Sequence, residues 1–534
     1  MVFECLAQMD GIYVAHSVDV MLVCKHWTAV ALNTSALWQT IPERARVDWF
    51  AITFARSKNR PVDIVTNPTS LLSVAPLLVK EAHRLRTLEV LPRDTDVDGT
   101  DSDVASLLED TIFAVARFPR LETLIMENPS VVFYKLASFN DPERFPALQI
   151  LHVDTLYIPW DSSVFRQLRI LEIYNVHVPE PDAVPLSVFL DVLKTCQCLE
   201  ELRFHYVPFI DFTGHGQPAA DCVVSLPMLR SFYWFWPYTW AYQSPTDVYR
   251  LLEHLYLPTT VDVYLRFEVE IEGREPTHWL DEYFNINYLK MIPYDAGRLP
   301  ILTAVKTARF CSPGPWKGGE WANLYCERCD FEGSFEISFD RARERGFPYN
   351  RMAQFYHFLS LFNDTFLSSL TANLYGLDLY CLRDAFNNFP WLETLELFHE
   401  APEAPEDECW PRLKTKSFFV ELTAPMYHDD GDVTANLLRL RNLSLENFPW
   451  SEHAFCLLFA SLVVRAKEGA PLLSSLRVKV GEEGYPGGER IPDRDAIAAL
   501  QAIVEGPVEY VDTTVYTQSA EVSTPTLSAP HHRH

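Results

Sequence analysis

The sequence predicts an α/β protein in which a small all-helical N-terminal module is followed by a curved solenoid of parallel strands and helices. Three observations predict it. Apolar residues near the N-terminus recur at helical spacing. From Leu85 onward a six-residue phrase, Leu-x-x-Leu-x-apolar, returns along the chain. Its copies follow one another at intervals close to one structural repeat.

The helical module covers residues 1–42. Val20, Val23, Cys24, Trp27, Val30 and Ala31 fall on one face of a helix. Asn33-Thr34-Ser35 reads as a helix stop followed by a new cap, Leu37-Trp38 as a second apolar anchor, and Pro42 as the end of the segment. Residues 43–84 connect the module to the repeats.

The phrase begins at Leu85, Leu121, Leu148, Leu168 and Leu199, in looser form at Leu229 and Leu252, and again clearly at Leu392, Leu440 and Leu473. A degraded copy starts at Leu413. Starts from Leu121 to Leu229 are 20 to 31 residues apart, near the period of about 20–29 residues of leucine-rich-type repeats. Each copy reads as one short strand whose alternate residues point in and out. Leu88, Leu124, Leu151, Leu171 and Leu202 are therefore expected in one buried register. One repeat cannot bury its apolar side alone, so residues 85–515 are expected to stack as one solenoid. Phe118-Pro119 and Phe145-Pro146 end the segments before two of the copies. The stretch 258–391 is less regular and reads as degraded repeats or an insertion. Within it Val261 to Val269 alternates as a strand does, and Val305 to Phe310 and Phe335 to Phe339 are further strand candidates. Residues 516–534, rich in Ser, Thr, Pro and His, are expected to be a disordered tail.

Composition narrows the function classes. Hydrophobic residues make up 48% of the chain, enough for a large core. A net charge of -27 makes nucleic acid and acidic membranes poor partners. The 11 cysteines are scattered rather than dense, which suits reduced thiols in the cytoplasm or nucleus. The N-terminus does not read as a signal peptide, and the longest apolar run, about Ala454 to Val464, falls short of the roughly 20 residues a membrane span needs. Nucleophile-elbow, zincin, Walker and dinucleotide glycine motifs are not found, and glycine numbers only 19. The expectation is a non-enzymatic interaction protein with no cofactor and no metal.

Weaker motifs fit that expectation. Asp94-Thr95-Asp96-Val97-Asp98-Gly99 begins like a calcium loop, but Ala105 stands where a bidentate Glu is needed. Cys326-Glu327-Arg328-Cys329 lacks a second ligand pair at usable spacing, with Cys311 and His357 the remote candidates. In the aromatic run Phe232 to Trp240, strand alternation puts Phe232, Trp234 and Trp236 in the core and turns Tyr233 and Phe235 outward. The outward strand positions form the expected partner-binding, concave face: Glu89, His152, Glu172, Arg203, Tyr233 and Tyr256, then Glu396, Ser444 and Arg477.

The segment Val20 to Leu32, with its Val-Cys-Lys-x-Trp core, and the following Leu37-Trp38 resemble the second half of an F-box. Phe54-Ala55-Arg56-Ser57-Lys58-Asn59-Arg60-Pro61-Val62-Asp63-Ile64 looks like the join between F-box and repeats in a large family of fungal F-box proteins. The resemblance covers about the first 65 residues. It implies a substrate receptor of a cullin–RING (SCF-type) ubiquitin ligase, whose F-box docks a Skp-type adaptor and whose repeats hold an unknown target protein. The adaptor-facing or F-box core positions it implies are Phe3, Leu6, Val20, Val23, Cys24, Trp27, Leu32, Leu37 and Trp38. The family's opening Leu-Pro helix has no counterpart here, Phe3 standing at its closing Phe. The box is therefore expected to be truncated and to bind the adaptor weakly. The alternative function is a repeat scaffold for protein interaction without ligase linkage.

Overall fold

A computed structural model describes residues 21–512 with interruptions. Outside the described residues lie 1–20, 92–107, 271–291, 399–417, 481–493 and 513–534, together with shorter stretches. The acidic segment Asp94 to Gly99, the degraded copy at Leu413 and the tail fall there. The chain divides into two compact units, Met1–Arg266 with Gly297–Leu299 and Phe267–Ala296 with Pro300–His534. Both are α/β and both are built on parallel strands.

The first unit opens with α1 (Lys25–Asn33). Cys24 caps it, accepting the Trp27 N–H on Sγ, so the helical face read through Val20 to Ala31 breaks at that residue. Ala31 is the residue α1 buries. A tight turn, Ser35–Trp38, then sends Trp38 into the core. There its indole N–H donates to the Ala31 carbonyl at 2.9 Å and its ring meets Trp49 at 5.4 Å.

The segment read as a connector carries regular structure: α2 (Val47–Arg56), a strand at Val62–Thr66, and α3 (Pro68–Glu81). Asn67 caps α3 by accepting the Ser70 N–H, and Pro68 sits in its first turn, where a missing N–H costs nothing. Buried Arg84 holds this region together. It donates to the carbonyls of Phe54 and Arg60, to the Ser57 hydroxyl, and to the Glu81 carboxylate at 2.9 Å.

The sheet starts ahead of the first phrase. Its strands are β1 (Thr40–Ile41), β2 (Val62–Thr66), β3 (Leu85–Val90), β4 (Thr123–Glu127), β5 (Ile150–Asp154), β6 (Ile170–Tyr174), β7 (Glu201–His205) and β8 (Ser231–Pro237). Each pairs in parallel with the next, in chain order. β9 (Asp262–Glu270) follows, its Asp262 N–H donating to the Arg230 carbonyl at 2.7 Å.

The phrase explains the packing. Its first, fourth and sixth residues point inward and its third and fifth outward, as a period of two demands once the strand begins. Leu88, Leu124, Leu151, Leu171, Leu202 and Phe232 pair in one register and are completely buried. Helical turns cover that side. Leu108–Phe113 buries Ile112 and Phe113, Ser163–Gln167 buries Val164 and Phe165, and Leu186–Thr195 buries Phe189, Leu190 and Leu193. Phe118 and Phe145 of the Phe-Pro pairs stack at 5.6 Å and close over Phe113.

The second unit repeats the pattern with one departure. β10 (Thr307–Cys311), β13 (Ser369–Asn373), β14 (Thr394–Phe398), β15 (Asn442–Glu446), β16 (Ser475–Val480) and β17 (Val508–Asp512) pair in parallel in that order. Leu370, Leu395, Leu443 and Leu476 form its buried register. The departure lies inside the irregular stretch 258–391. β11 (Glu320–Glu327) and β12 (Ser334–Ala342) form an antiparallel hairpin, with β11 antiparallel to β10. At the far end, Gly506 lies against the Ser474 carbonyl, where a Cβ would collide with backbone.

Candidate functional site

The outward face of the first unit's sheet brings five of the expected partner-binding residues into one row. Glu89 pairs with Ile125, Ile125 with His152, His152 with Glu172, Glu172 with Arg203, and Arg203 with Tyr233. Tyr256 is not in the row. Leu252 is the last residue of the helix Pro245–Leu252, and Tyr256 belongs to a two-residue pairing with Ser225. Pro258 follows, and the sheet strand starts only at Asp262. Tyr264 takes the place beside Tyr233, ring centroids 6.4 Å apart. Glu396, Ser444 and Arg477 pair as a row of their own in the second unit. There Arg477 lies 3.5 Å from both Glu446 and Glu509.

A second outward row lies two residues further along each strand, Glu127, Asp154, Tyr174, His205 and Phe235, of which only Phe235 is read as outward from the sequence. The signal was present at the seventh position of each phrase, one residue beyond where the phrase stops. The two rows together make a compact cluster. The Tyr174 ring lies between His152, at 4.6 Å and 8°, and His205, at 3.6 Å and 15°. His205 continues toward Tyr233 and Phe235 at 4.8 and 5.6 Å, and Arg266 lies over Phe235.

Glu172 ties the rings together. It accepts the Tyr174 hydroxyl at 2.6 Å and faces His152 Nδ1 at 3.4 Å and Arg203 at 3.5 Å. Arg203 is shared with Glu201 at 2.7 Å. Burial opposes the charge on Glu172, but the bonds from His152 and Tyr174 and the Arg203 charge outweigh it and bring its pKa to about 2. Burial and the same carboxylate push the Tyr174 phenol up, so it stays a donor. Burial lowers His205 to about 4, despite the pull of Glu172, so its ring is neutral near pH 7. A carboxylate held this low is a poor base, and a phenol raised this way is a poor nucleophile. The chemistry offered is recognition: flat rings, a fixed anion and two guanidinium groups.

Toward β3 the face turns acidic. Burial raises the Glu89 carboxyl, and Asp63 and Glu127 add to the effect.

The N-terminal positions divide. Phe3, Leu6 and Val20 lie outside the described residues. Val23 is 61% exposed and Trp27 37%, beside Leu22 at 77%. Cys24 is exposed, while Leu32 and Leu37 are half-buried. Trp38 is buried, an internal anchor rather than a contact surface. Phe232 and Trp234 are buried and Tyr233 and Phe235 outward, as alternation requires. Cys326 lies in β11 and Cys329 outside the described residues. Among the described residues no group of three or more His, Cys, Asp or Glu is placed to hold a metal, and no helix is long and apolar enough to cross a membrane.

No protein-family model matches the chain, and no curated protein matches it.

Proposed function

We propose that the chain is a substrate-recruiting F-box receptor of a cullin–RING ubiquitin ligase, acting without catalysis of its own in the cytoplasm or nucleus. In this reading the N-terminal helices dock a Skp-type adaptor. The leucine-rich-type repeats stack into one curved solenoid, and its concave face holds the target protein through the rows around Glu172 and Arg203. The observation that carries the adaptor half is the exposed apolar edge of Leu22, Val23 and Trp27. An apolar patch on a helical edge is a partner surface in the making. It is also firmly mounted, because Arg56 donates to the Leu32 carbonyl at 3.1 Å and lies over the Trp38 ring. The target half draws support from the half-buried rings and charges at outward strand positions, residue types favoured at protein interfaces.

Co-expression with a tagged Skp-type adaptor tests the proposal. The full chain is expected to co-purify with the adaptor in less than equal amount, because the box binds it weakly, and to bring the cullin when that is added. Failure to co-purify, with the chain folded by circular dichroism, would favour a repeat scaffold with no ligase link.

A further inference from the structure

The second unit carries a stripe of open side chains where its strands begin. Ser369, Thr394, Asn442 and Ser475 are partners in one register. Three residues before each of them stand Phe366, Trp391, Arg439 and Leu472. Phe366 is 73% exposed, Trp391 41% and Leu472 42%. The Phe366 and Trp391 rings are 6.0 Å apart, and the Arg439 guanidinium lies 4.2 Å above the Trp391 ring. One step closer to the strands come the exposed Lys306, Glu393 and Arg441.

Two features set this stripe apart. It concentrates large exposed apolar groups, which a folded chain normally scatters. Its local charge is still basic, Lys306, Arg439 and Arg441 against Glu393 and, beside Leu473, Glu505, on a chain whose net charge is -27. The stacked guanidinium keeps its outer edge open for a planar, bidentate acceptor such as a carboxylate.

We propose that this stripe is a docking site for a short segment of a partner protein that combines one aromatic or aliphatic side chain with neighbouring carboxylates. The apolar side chain lies against Phe366 and Trp391, and a carboxylate meets Arg439. A second copy of this chain fits less well, since two bodies of the same strong charge repel one another. The inference is independent of the adaptor reading and uses none of its residues.

The test pans the full chain against a phage-displayed library of random short peptides and measures the affinity of synthetic versions of the enriched ones. Enriched peptides are expected to join Asp or Glu to Trp, Phe or Leu. The double variant Phe366→Ala with Trp391→Ala is expected to bind them about tenfold more weakly or worse. Arg439→Glu, a wholly superficial change, should have the same effect on peptides with carboxylates and leave the thermal melt unaltered. Basic peptides, no enrichment, or affinities that neither variant alters would overturn the proposal. So would a concentration-dependent dimer in sedimentation velocity that Phe366→Ala abolishes, because the stripe would then belong to a second copy.

Discussion

Replacing Glu172 by Gln removes one charge from the centre of the stacked rings while keeping the side chain's volume. The carboxyl has a pKa of about 2, against the ordinary 4.5. At about 1.4 kcal/mol per unit, the difference corresponds to about 3–4 kcal/mol of stability at neutral pH. The side chain is only 12% exposed, yet one side of the cluster faces water. Solvent screening there reduces the expected loss to about 1–2 kcal/mol. Because the folded-state pKa is depressed, the contribution is complete above about pH 4.5 and disappears as the pH falls toward 2. His205 acts in the same direction at higher pH. Its pKa is lowered from 6.5 to about 4, so acid favours the unfolded chain between those values. The assay is urea unfolding followed by circular dichroism, for wild type and Glu172→Gln, at about pH 7 and about pH 3. The gap between the two proteins should shrink by about half or more at the lower pH. An equal gap at both pH values would refute the account of the cluster, because the loss would then come from packing and not from charge.

Other changes probe the frame around that cluster. Leu171→Ala empties a completely buried position between Leu151 and Leu202 and should cost about 2–5 kcal/mol, read as a lower urea midpoint with an unchanged slope. Arg84→Met removes the guanidinium donor from the Glu81 carboxylate and from the Phe54 and Arg60 carbonyls. A loss of about 3–5 kcal/mol is expected, with faster amide exchange across Val47–Arg56. Gly506→Ala drives a methyl group into the Ser474 carbonyl, so amide exchange should rise in Val508–Asp512 and leave β3 to β8 unaffected.

The parallel framework was legible where strands carry the same phrase, because an inward leucine at a fixed place sets the register. Leu88 to Leu202 are the plainest case. The strands Thr40–Ile41 and Val62–Thr66 escaped because they present Ile and Val without the leucine phrase. The antiparallel pairing of β11 with β12 escaped because no repeated phrase sets its register. Tyr256 was misplaced because Leu252-x-x-Leu255 satisfies the phrase while serving as a helix end. The outward row was half seen. His152, Glu172, Arg203 and Tyr233 follow from alternation within the phrase, whereas Tyr174 and His205 stand one residue beyond where the phrase stops.

The central claim is that the helical edge beside Trp38 receives a Skp-type adaptor. Burying the open side chains there contributes about 1.5–3 kcal/mol each, so losing two of them weakens binding by a hundredfold or more, on the order of 3 kcal/mol at least. Val23 is open to solvent and Trp27 partly covered, so the variant should still melt cooperatively, a few degrees lower at most. The decisive measurement is calorimetric titration of a purified Skp-type adaptor into the full chain and into the variant Val23→Asp with Trp27→Ala. The account predicts saturable one-to-one binding by the wild type and loss of measurable heat with the folded variant. Equal binding by the two, or none by the folded wild type, would contradict it.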